Sequence, residues 1–353
     1  MLNIKYNTKI KISQEEYKNY SKQLILENIG VQGQKRLKNA KVLIIGAGGL
    51  GCPAMIYLAA SGIGHIGLID GDKIENSNLN RQILYSKDDI ANFKVNSAQK
   101  KIQNINSNCI IIKHQYNLNI DNSIEIISYY DIIVDTTDNF KTRYIIDKIC
   151  YQLHKIHIYG AIDQFDGQVV IFNYKDGIRY KDLYNQNLLL ERNNCNRNGV
   201  MGITTGYIGI LQSIETIKVI LGLEKACKNS LLVYNTIKII NKKRKIFLKR
   251  NNNNKIDILQ LNNILRKNEL KIIQGNFFII DLREKLNFNT KHINKSINIP
   301  MNKLKLKKTI KLIQGQIKNC NLVLYCNTLE RSIIASYFLK NNNISHYILH
   351  PTQ

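Results

Sequence analysis

Val42-Leu43-Ile44-Ile45-Gly46-Ala47-Gly48-Gly49-Leu50-Gly51 decides how most of this 353-residue chain is read. The apolar run is a short buried strand, and it feeds a G-x-G-x-x-G loop. The small, apolar stretch from Leu50 to Ala60 follows as a helix that Gly62 stops. His65-Ile66-Gly67-Leu68-Ile69 makes a second strand ending at Asp70, 24 positions beyond Gly46. Ile110-Ile111-Ile112 and Asp131-Ile132-Ile133-Val134 continue the series, with helical patterns at 94–105 and 141–153 between and after them. Alternation of this kind predicts an α/β fold with a doubly wound, mostly parallel, Rossmann-like sheet.

Around this centre, 14–39 reads as a helical lead-in. Val169-Val170-Ile171-Phe172 and 231–248 read as strands, and 203–221 as a buried helix ending at Gly222. Lys249-Arg250-Asn251-Asn252-Asn253-Asn254-Lys255 is polar without apolar periodicity and reads as a linker. Strands at Phe277–Asp281 and Leu322–Tyr325 and a helix at Ser332–Lys340 predict a second, smaller α/β unit. The expected organisation is a nucleotide-binding domain at 1–248, a linker at 249–256 and a second domain at 257–353.

Composition narrows the classes. No apolar run approaches the ~20 residues that span a bilayer. The first thirty residues, interrupted by Glu15, Glu16 and Glu27, lack a signal-peptide core and a serine-rich transit pattern. A soluble protein that works where it is made is expected, with no membrane partner. The net charge of +25 invites a nucleic-acid reading. Lys, Asn and Ile crowd the whole sequence, however, while Pro numbers 3 and Trp 0, which is the signature of an AT-rich genome. No dedicated nucleic-acid surface is therefore expected. The seven cysteines (Cys52, Cys109, Cys150, Cys195, Cys227, Cys320 and Cys326) form no C-x-x-C pair.

A glycine loop that brings backbone amides to a phosphate, with Asp70 placed for a ribose hydroxyl, fits a nicotinamide dehydrogenase as well as an ATP enzyme. The residues after later strands separate the two. Asn76-Ser77-Asn78-Leu79-Asn80-Arg81-Gln82, Lys94 and Asp138-Asn139-Phe140 supply cations, amides and a carboxylate. Attack on an α-phosphate needs cations for the developing charge and a carboxylate for Mg²⁺.

These motifs, with Gly46 to Cys52, Thr137-Asp138-Asn139-Phe140, Asp163-Gln164-Phe165-Asp166-Gly167-Gln168 and Asn198-Gly199-Val200-Met201-Gly202, resemble the MoeB/ThiF adenylating enzymes of molybdopterin and thiamine synthesis, relatives of ubiquitin-activating enzymes. The resemblance runs from about 14 to 248. It implies adenylation, with ATP and Mg²⁺, of the C-terminal glycine of a small ubiquitin-like sulfur carrier. The small subunit of molybdopterin synthase comes first, and carriers for thiamine or tRNA thiolation are the alternatives. It places Gly46, Gly48, Gly49 and Asp70 on the phosphates and ribose, and Ser77, Asn78, Leu79, Asn80 and Arg81 along the triphosphate. Arg81 and Lys94 would stabilise the transition state, while Asp138 holds Mg²⁺ with support from Asn139. It also implies a homodimer, in which Lys22 replaces an arginine that reaches the partner's site. The family's two zinc-binding C-x-x-C pairs are missing: the first falls on Arg179 and Asp182, and no zinc site is expected. An ion pair between those two residues could replace part of the clamp. Cys195, flanked by Arg192 and Arg197, stands where relatives carry a loop cysteine that captures the acyl group.

In the second domain Cys326-Asn327-Thr328-Leu329-Glu330-Arg331-Ser332 lies between a strand and an apolar helix. A thiolate there is stabilised by helix-terminal amides and Arg331. The segment resembles the C-x-x-x-x-R loop of rhodaneses, whose cysteine carries a persulfide. Asp281-Leu282-Arg283 and His292-Ile293-Asn294-Lys295-Ser296-Ile297-Asn298-Ile299-Pro300 match that family's other landmarks. A persulfide donor protein is an implied partner. Two rival functions stay open here, a dehydrogenase and a noncatalytic carrier-binding scaffold. The AT-driven composition favours an organelle-encoded plastid protein of the stroma, with the cytoplasm as the alternative.

Overall fold

The computed structural model describes residues 10–175, 177–184, 199–223, 228–246, 264–265, 269, 276–304, 306–317, 320–327, 329–340 and 342–350. The chain divides into two compact units. The expected linker at 249–256 lies outside the described residues.

In the first unit the elements run α1 (Gln14–Asn19), α2 (Ser21–Leu24), α3 (Gly30–Asn39), β1 (Lys41–Ile45), α4 (Gly51–Ala60), β2 (His65–Ile69), α5 (Lys94–Ile105), β3 (Ile110–His114), α6 (Ile120–Ser128), β4 (Ile132–Asp135), α7 (Phe140–Gln152), β5 (Ile156–Asp163), β6 (Asp166–Phe172), α8 (Tyr180–Leu183), α9 (Gly202–Leu221), β7 (Ser230–Asn235) and β8 (Ile240–Lys245). The strands form one sheet in the order β3-β2-β1-β4-β5-β6-β7-β8. The run from β3 to β5 is parallel, and β6, β7 and β8 continue it as an antiparallel meander.

The apolar run at 42–45 is buried throughout because helices cover both faces of the parallel sheet. Val42 and Ile44 pack with residues of α3, α4, α5 and α9, whereas Leu43 and Ile45 pack with α6 and α7. At the far edge, β8 is exposed along its whole length and carries Lys242, Lys243, Arg244 and Lys245. Such charges stop an open strand from pairing with another chain. Part of the chain's positive charge thus has a local structural use.

The expected helical lead-in at 14–39 is made of three helices. Tyr20 separates α1 from α2, and Ser13 with Glu16 caps α1 in a reciprocal box. Glu16 is buried and its carboxylate meets Lys38 Nζ at 2.7 Å, which ties α1 to α3. At its other end the unit follows expectation: Gly222, at φ +73°, takes the left-handed position that ends α9.

The proposed Arg179–Asp182 ion pair is not what forms. Among the described residues the Asp182 carboxylate accepts only the Arg179 backbone N–H, at 2.8 Å. The guanidinium turns to Asp147 Oδ2 on α7, at 2.9 Å, and stacks 3.8 Å over the Tyr151 ring. Asp147 wins because its second oxygen already accepts the Tyr180 N–H at 2.9 Å, so one carboxylate anchors both residues at the start of α8.

In the second unit β9 (Ile264–Leu265), β10 (Phe277–Asp281), α10 (Lys285–Thr290), β11 (Ser296–Asn298), α11 (Met301–Leu304), α12 (Lys307–Gln316), β12 (Asn321–Tyr325), α13 (Leu329–Lys340) and β13 (Tyr347–Leu349) build a parallel sheet ordered β11-β10-β12-β13-β9. It has its own core, centred on Ile280, Ile313, Leu324 and Leu339. Among the described residues no helix is long and apolar enough to cross a membrane.

Candidate functional site

The glycine loop leaves β1 at the point where the parallel strand order reverses, between β1 and β4. In open α/β sheets a ligand crevice forms there, beyond the carboxyl ends of the strands. Two glycines are required by geometry. Gly46 sits at φ +100°, and a Cβ on Gly51 would lie 2.1 Å from the Gly46 carbonyl oxygen. No side chain caps α4; the Cys52 N–H donates to the Gly48 carbonyl at 2.9 Å and Pro53 has no N–H, so among the described residues the Gly51 N–H is the first-turn amide left for an anion.

A cavity of about 790 Å³ opens above the loop. Gly46, Gly48, Gly49, Asp70, Ser77, Asn78, Arg81, Lys94, Asp138 and Asn139 all line it. Leu79 and Asn80 do not: Leu79 packs against the core, and Asn80 Oδ1 accepts from Arg81 Nη1 at 3.1 Å. Arg81 also donates to the Ser77 carbonyl at 2.7 Å. Its guanidinium is thereby held with further donors to spare.

Asp70 does more than ribose binding requires. Its Oδ2 accepts the Ala47 N–H at 2.7 Å and its Oδ1 the Asp72 N–H at 2.8 Å, so it pins the glycine loop. Lys94 is buried, with Nζ 2.9 Å from Asp72 and 4.0 Å from Asp70. Burial pushes the Asp70 carboxyl above its ordinary value, while Lys94 and the two backbone donors pull it back.

Replacing Lys94 by Met is therefore expected to destabilise the fold by about 1–3 kcal/mol, the cost of stripping a buried polar group of a partner. The sign of the pH effect follows from Asp70. Without Lys94 its folded-state pKa rises further, so the deficit is full above that value and shrinks as pH falls through it. Urea midpoints for both proteins from pH 8 down to pH 5 measure this. A deficit that does not narrow contradicts the coupling.

Asp138 is exposed, and among the described residues it has no hydrogen-bond or ion-pair partner. Its carboxylate is the uncommitted oxygen ligand on this wall, as a divalent cation shared with phosphates requires. Asn139 caps α7, its Oδ1 accepting the Thr142 N–H at 2.9 Å.

Several lining residues carry no linear motif: Asp72, Lys73, Glu75, Asn117, Arg143 and Thr205. Asp72 was within reach of sequence reasoning, since it stands two positions after a strand-end aspartate. Arg143 was not, because its place follows from the pitch of α7. It donates to the Thr137 carbonyl, and its guanidinium carbon lies 5.2 Å from the Tyr159 ring centre. Lys22, on α2, is exposed. Cys195, Arg192 and Arg197 lie outside the described residues.

In the second unit Cys326 follows β12 and precedes α13, as expected, but the residue is 0% exposed and belongs to the core. Its thiol donates to Asn327 Oδ1 at 3.2 Å. Arg331, in the first turn of α13, is exposed. The landmark Asp281 and Arg283 form a two-pronged ion pair, at 3.0 Å and 2.6 Å, and Arg283 also donates to the Lys291 carbonyl. Asn298 donates to both the Asp281 and Arg283 carbonyls. These residues brace the end of β10 beside β12, with the Arg283 guanidinium carbon 5.2 Å from the Tyr325 ring centre.

The ThiF family matches residues 20–256, and the rhodanese-like domain matches residues 260–350. A probable molybdopterin-synthase adenylyltransferase of Gracilaria tenuistipitata var. liui is 43% identical over 350 residues, covering 97% of this chain and 98% of the relative. The adenylyltransferase and sulfurtransferase MOCS3 of Drosophila persimilis is 34% identical over 370 residues, covering 96% and 82%. Among solved structures, E. coli MccB is 25% identical with a TM-score of 0.57, covering 67% of this chain and 71% of that one.

Proposed function

The chain belongs to the ThiF family and carries a rhodanese-like domain behind it, and on that premise we propose that this adenylyltransferase activates the C-terminal glycine of a small ubiquitin-like sulfur carrier. One observation supports this most: Gly49, Arg81, Lys94 and Asp138 line a single cavity. A carboxylate oxygen of the carrier attacks the α-phosphorus of ATP. The bond from that phosphorus to the bridging oxygen breaks, and pyrophosphate leaves. Arg81 and Lys94 offset the charge that builds on the phosphate oxygens, and the Gly51 amide at the start of α4 faces the anion. Asp138, with Asn139 beside it, would hold the Mg²⁺ that shields the triphosphate from the incoming carboxylate.

The second stage belongs to Cys326. A persulfide on its sulfur attacks the acyl carbon of the adenylate, and AMP leaves. A further thiol must then take the Cys326 sulfur as a disulfide to free the thiocarboxylate. The molybdopterin-synthase small subunit is the carrier we favour, because relatives of matching length bear that enzyme's name. We further propose a homodimer with Lys22 facing the partner's site, supply by a persulfide donor protein, and a plastid location.

ATP–pyrophosphate exchange tests the reading, run with carriers of the molybdopterin, thiamine and tRNA-thiolation types. Exchange that depends on one carrier's terminal glycine is the expected result. A folded chain that exchanges with none is a scaffold, and the reading fails.

A further inference from the structure

Behind the cavity wall lies a buried carboxylate–imidazole pair that no step above uses. Asp135 ends β4, and His157 stands on the neighbouring strand β5. Both are 0% exposed. His157 Nε2 donates to Asp135 Oδ2 at 3.0 Å. The other carboxylate oxygen accepts the Thr137 N–H at 3.0 Å and the Thr137 hydroxyl at 2.7 Å. From outside, Arg143 donates to the Thr137 carbonyl, and Gln212 Nε2 donates to the Asp135 carbonyl at 2.7 Å. Thr136 is fixed by its hydroxyl, which donates to the Gly46 carbonyl at 2.6 Å.

Residues 136, 137 and 139 are thus each tied down, and the exposed residue among them is Asp138. The arrangement is costly. A fully buried carboxylate loses its hydration, and among the described residues His157 Nδ1 has no hydrogen-bond partner. A core needing only stability gains nothing from such a pair over apolar side chains of similar volume.

We infer that Asp135 and His157 are positioning residues: they hold Thr137 so that the Asp138 carboxylate meets the cation on the triphosphate. The inference rests on the adenylation reading and deepens it. His157 orients the carboxylate, the carboxylate fixes Thr137 by two bonds, and Thr137 sets the backbone that carries Asp138. Groups that orient a metal ligand typically shift metal affinity by about 10–100-fold when removed.

The test is calorimetric and needs no turnover. Titration of α,β-methylene-ATP into the full-length chain, with and without Mg²⁺, gives the factor by which the metal tightens nucleotide binding. Asp135→Asn, Thr137→Val and His157→Leu are each expected to cut that factor by about 10–100-fold, as removal of an orienting group does. Binding of the metal-free nucleotide stays within about twofold of wild type. His157→Gln, whose amide can donate to the same carboxylate oxygen, restores most of the factor. Thr137→Val removes one hydroxyl, so it keeps the question open to refutation even if the buried pair proves necessary for folding. An undiminished Mg²⁺ factor in folded Thr137→Val, with Asp135→Asn agreeing where it folds, overturns the inference. Absence of pyrophosphate exchange in the wild-type protein would instead sink the reading on which it rests.

Discussion

Replacing Arg81 by Ala is expected to slow carrier-dependent ATP–pyrophosphate exchange by about 10²–10³-fold, the usual loss when a preorganised donor to developing charge is removed. The fold should not follow it down. Among the described residues the Arg81 side chain makes two local hydrogen bonds, to the Ser77 carbonyl and to Asn80 Oδ1, and belongs to none of the hydrophobic clusters. The loss should therefore fall on kcat/KM for exchange, with the melting temperature close to that of the wild type. Arg81→Lys should recover only part of the rate, because an ammonium lacks the planar fork that meets two phosphate oxygens at once. Exchange kinetics and a thermal melt on the same preparations decide it. A rate within threefold of wild type would remove Arg81 from the reaction.

The second large effect separates the two units. Cys326→Ser should abolish sulfur transfer, measured as thiocyanate formed from thiosulfate and cyanide, while leaving exchange within about twofold. Only sulfur can carry the persulfide, and the first unit has a hydrophobic core of its own. Because Cys326 is fully buried, the added hydroxyl also costs about 1–3 kcal/mol of local stability. Cys320, half-buried, supplies the control: Cys320→Ser should keep the sulfur-transfer rate. Full transfer by Cys326→Ser, or its loss in Cys320→Ser, assigns the sulfur elsewhere.

The parts of the site set by local rules were legible in the sequence. A strand, a tight glycine turn and a helix are dictated within a dozen residues, and Asp70, Lys94 and Asp138 stand at strand or helix ends that hydrophobic runs predict. What the sequence concealed depends on neighbours far along the chain. His157 reads as one polar residue in an apolar strand until β5 is laid against β4, when it meets Asp135. Asp147 looks like helix surface until α8 folds back on it, and that contact displaced the Arg179–Asp182 pairing expected from spacing alone. Polar β8, by contrast, reads as part of the strands at 231–248 despite its lack of apolar alternation, and it is an exposed edge held by backbone bonds to β7. Cys326 was placed correctly between strand and helix. Its complete burial was not foreseeable, since it depends on how α13 and β12 close over the loop.

The central claim is that one cavity brings Arg81, Lys94 and Asp138 to bear on the α-phosphate of ATP. Incubating the enzyme and its carrier with Mg²⁺ and ATP labelled at either the α- or the γ-phosphorus tests this most directly. The account predicts that α-label moves to the carrier's terminal carboxylate, in an acid-stable, hydroxylamine-sensitive linkage, while all γ-label leaves as pyrophosphate. Label from the γ position on carrier or enzyme, with none from the α position, would mean that a different phosphorus is attacked and would contradict it.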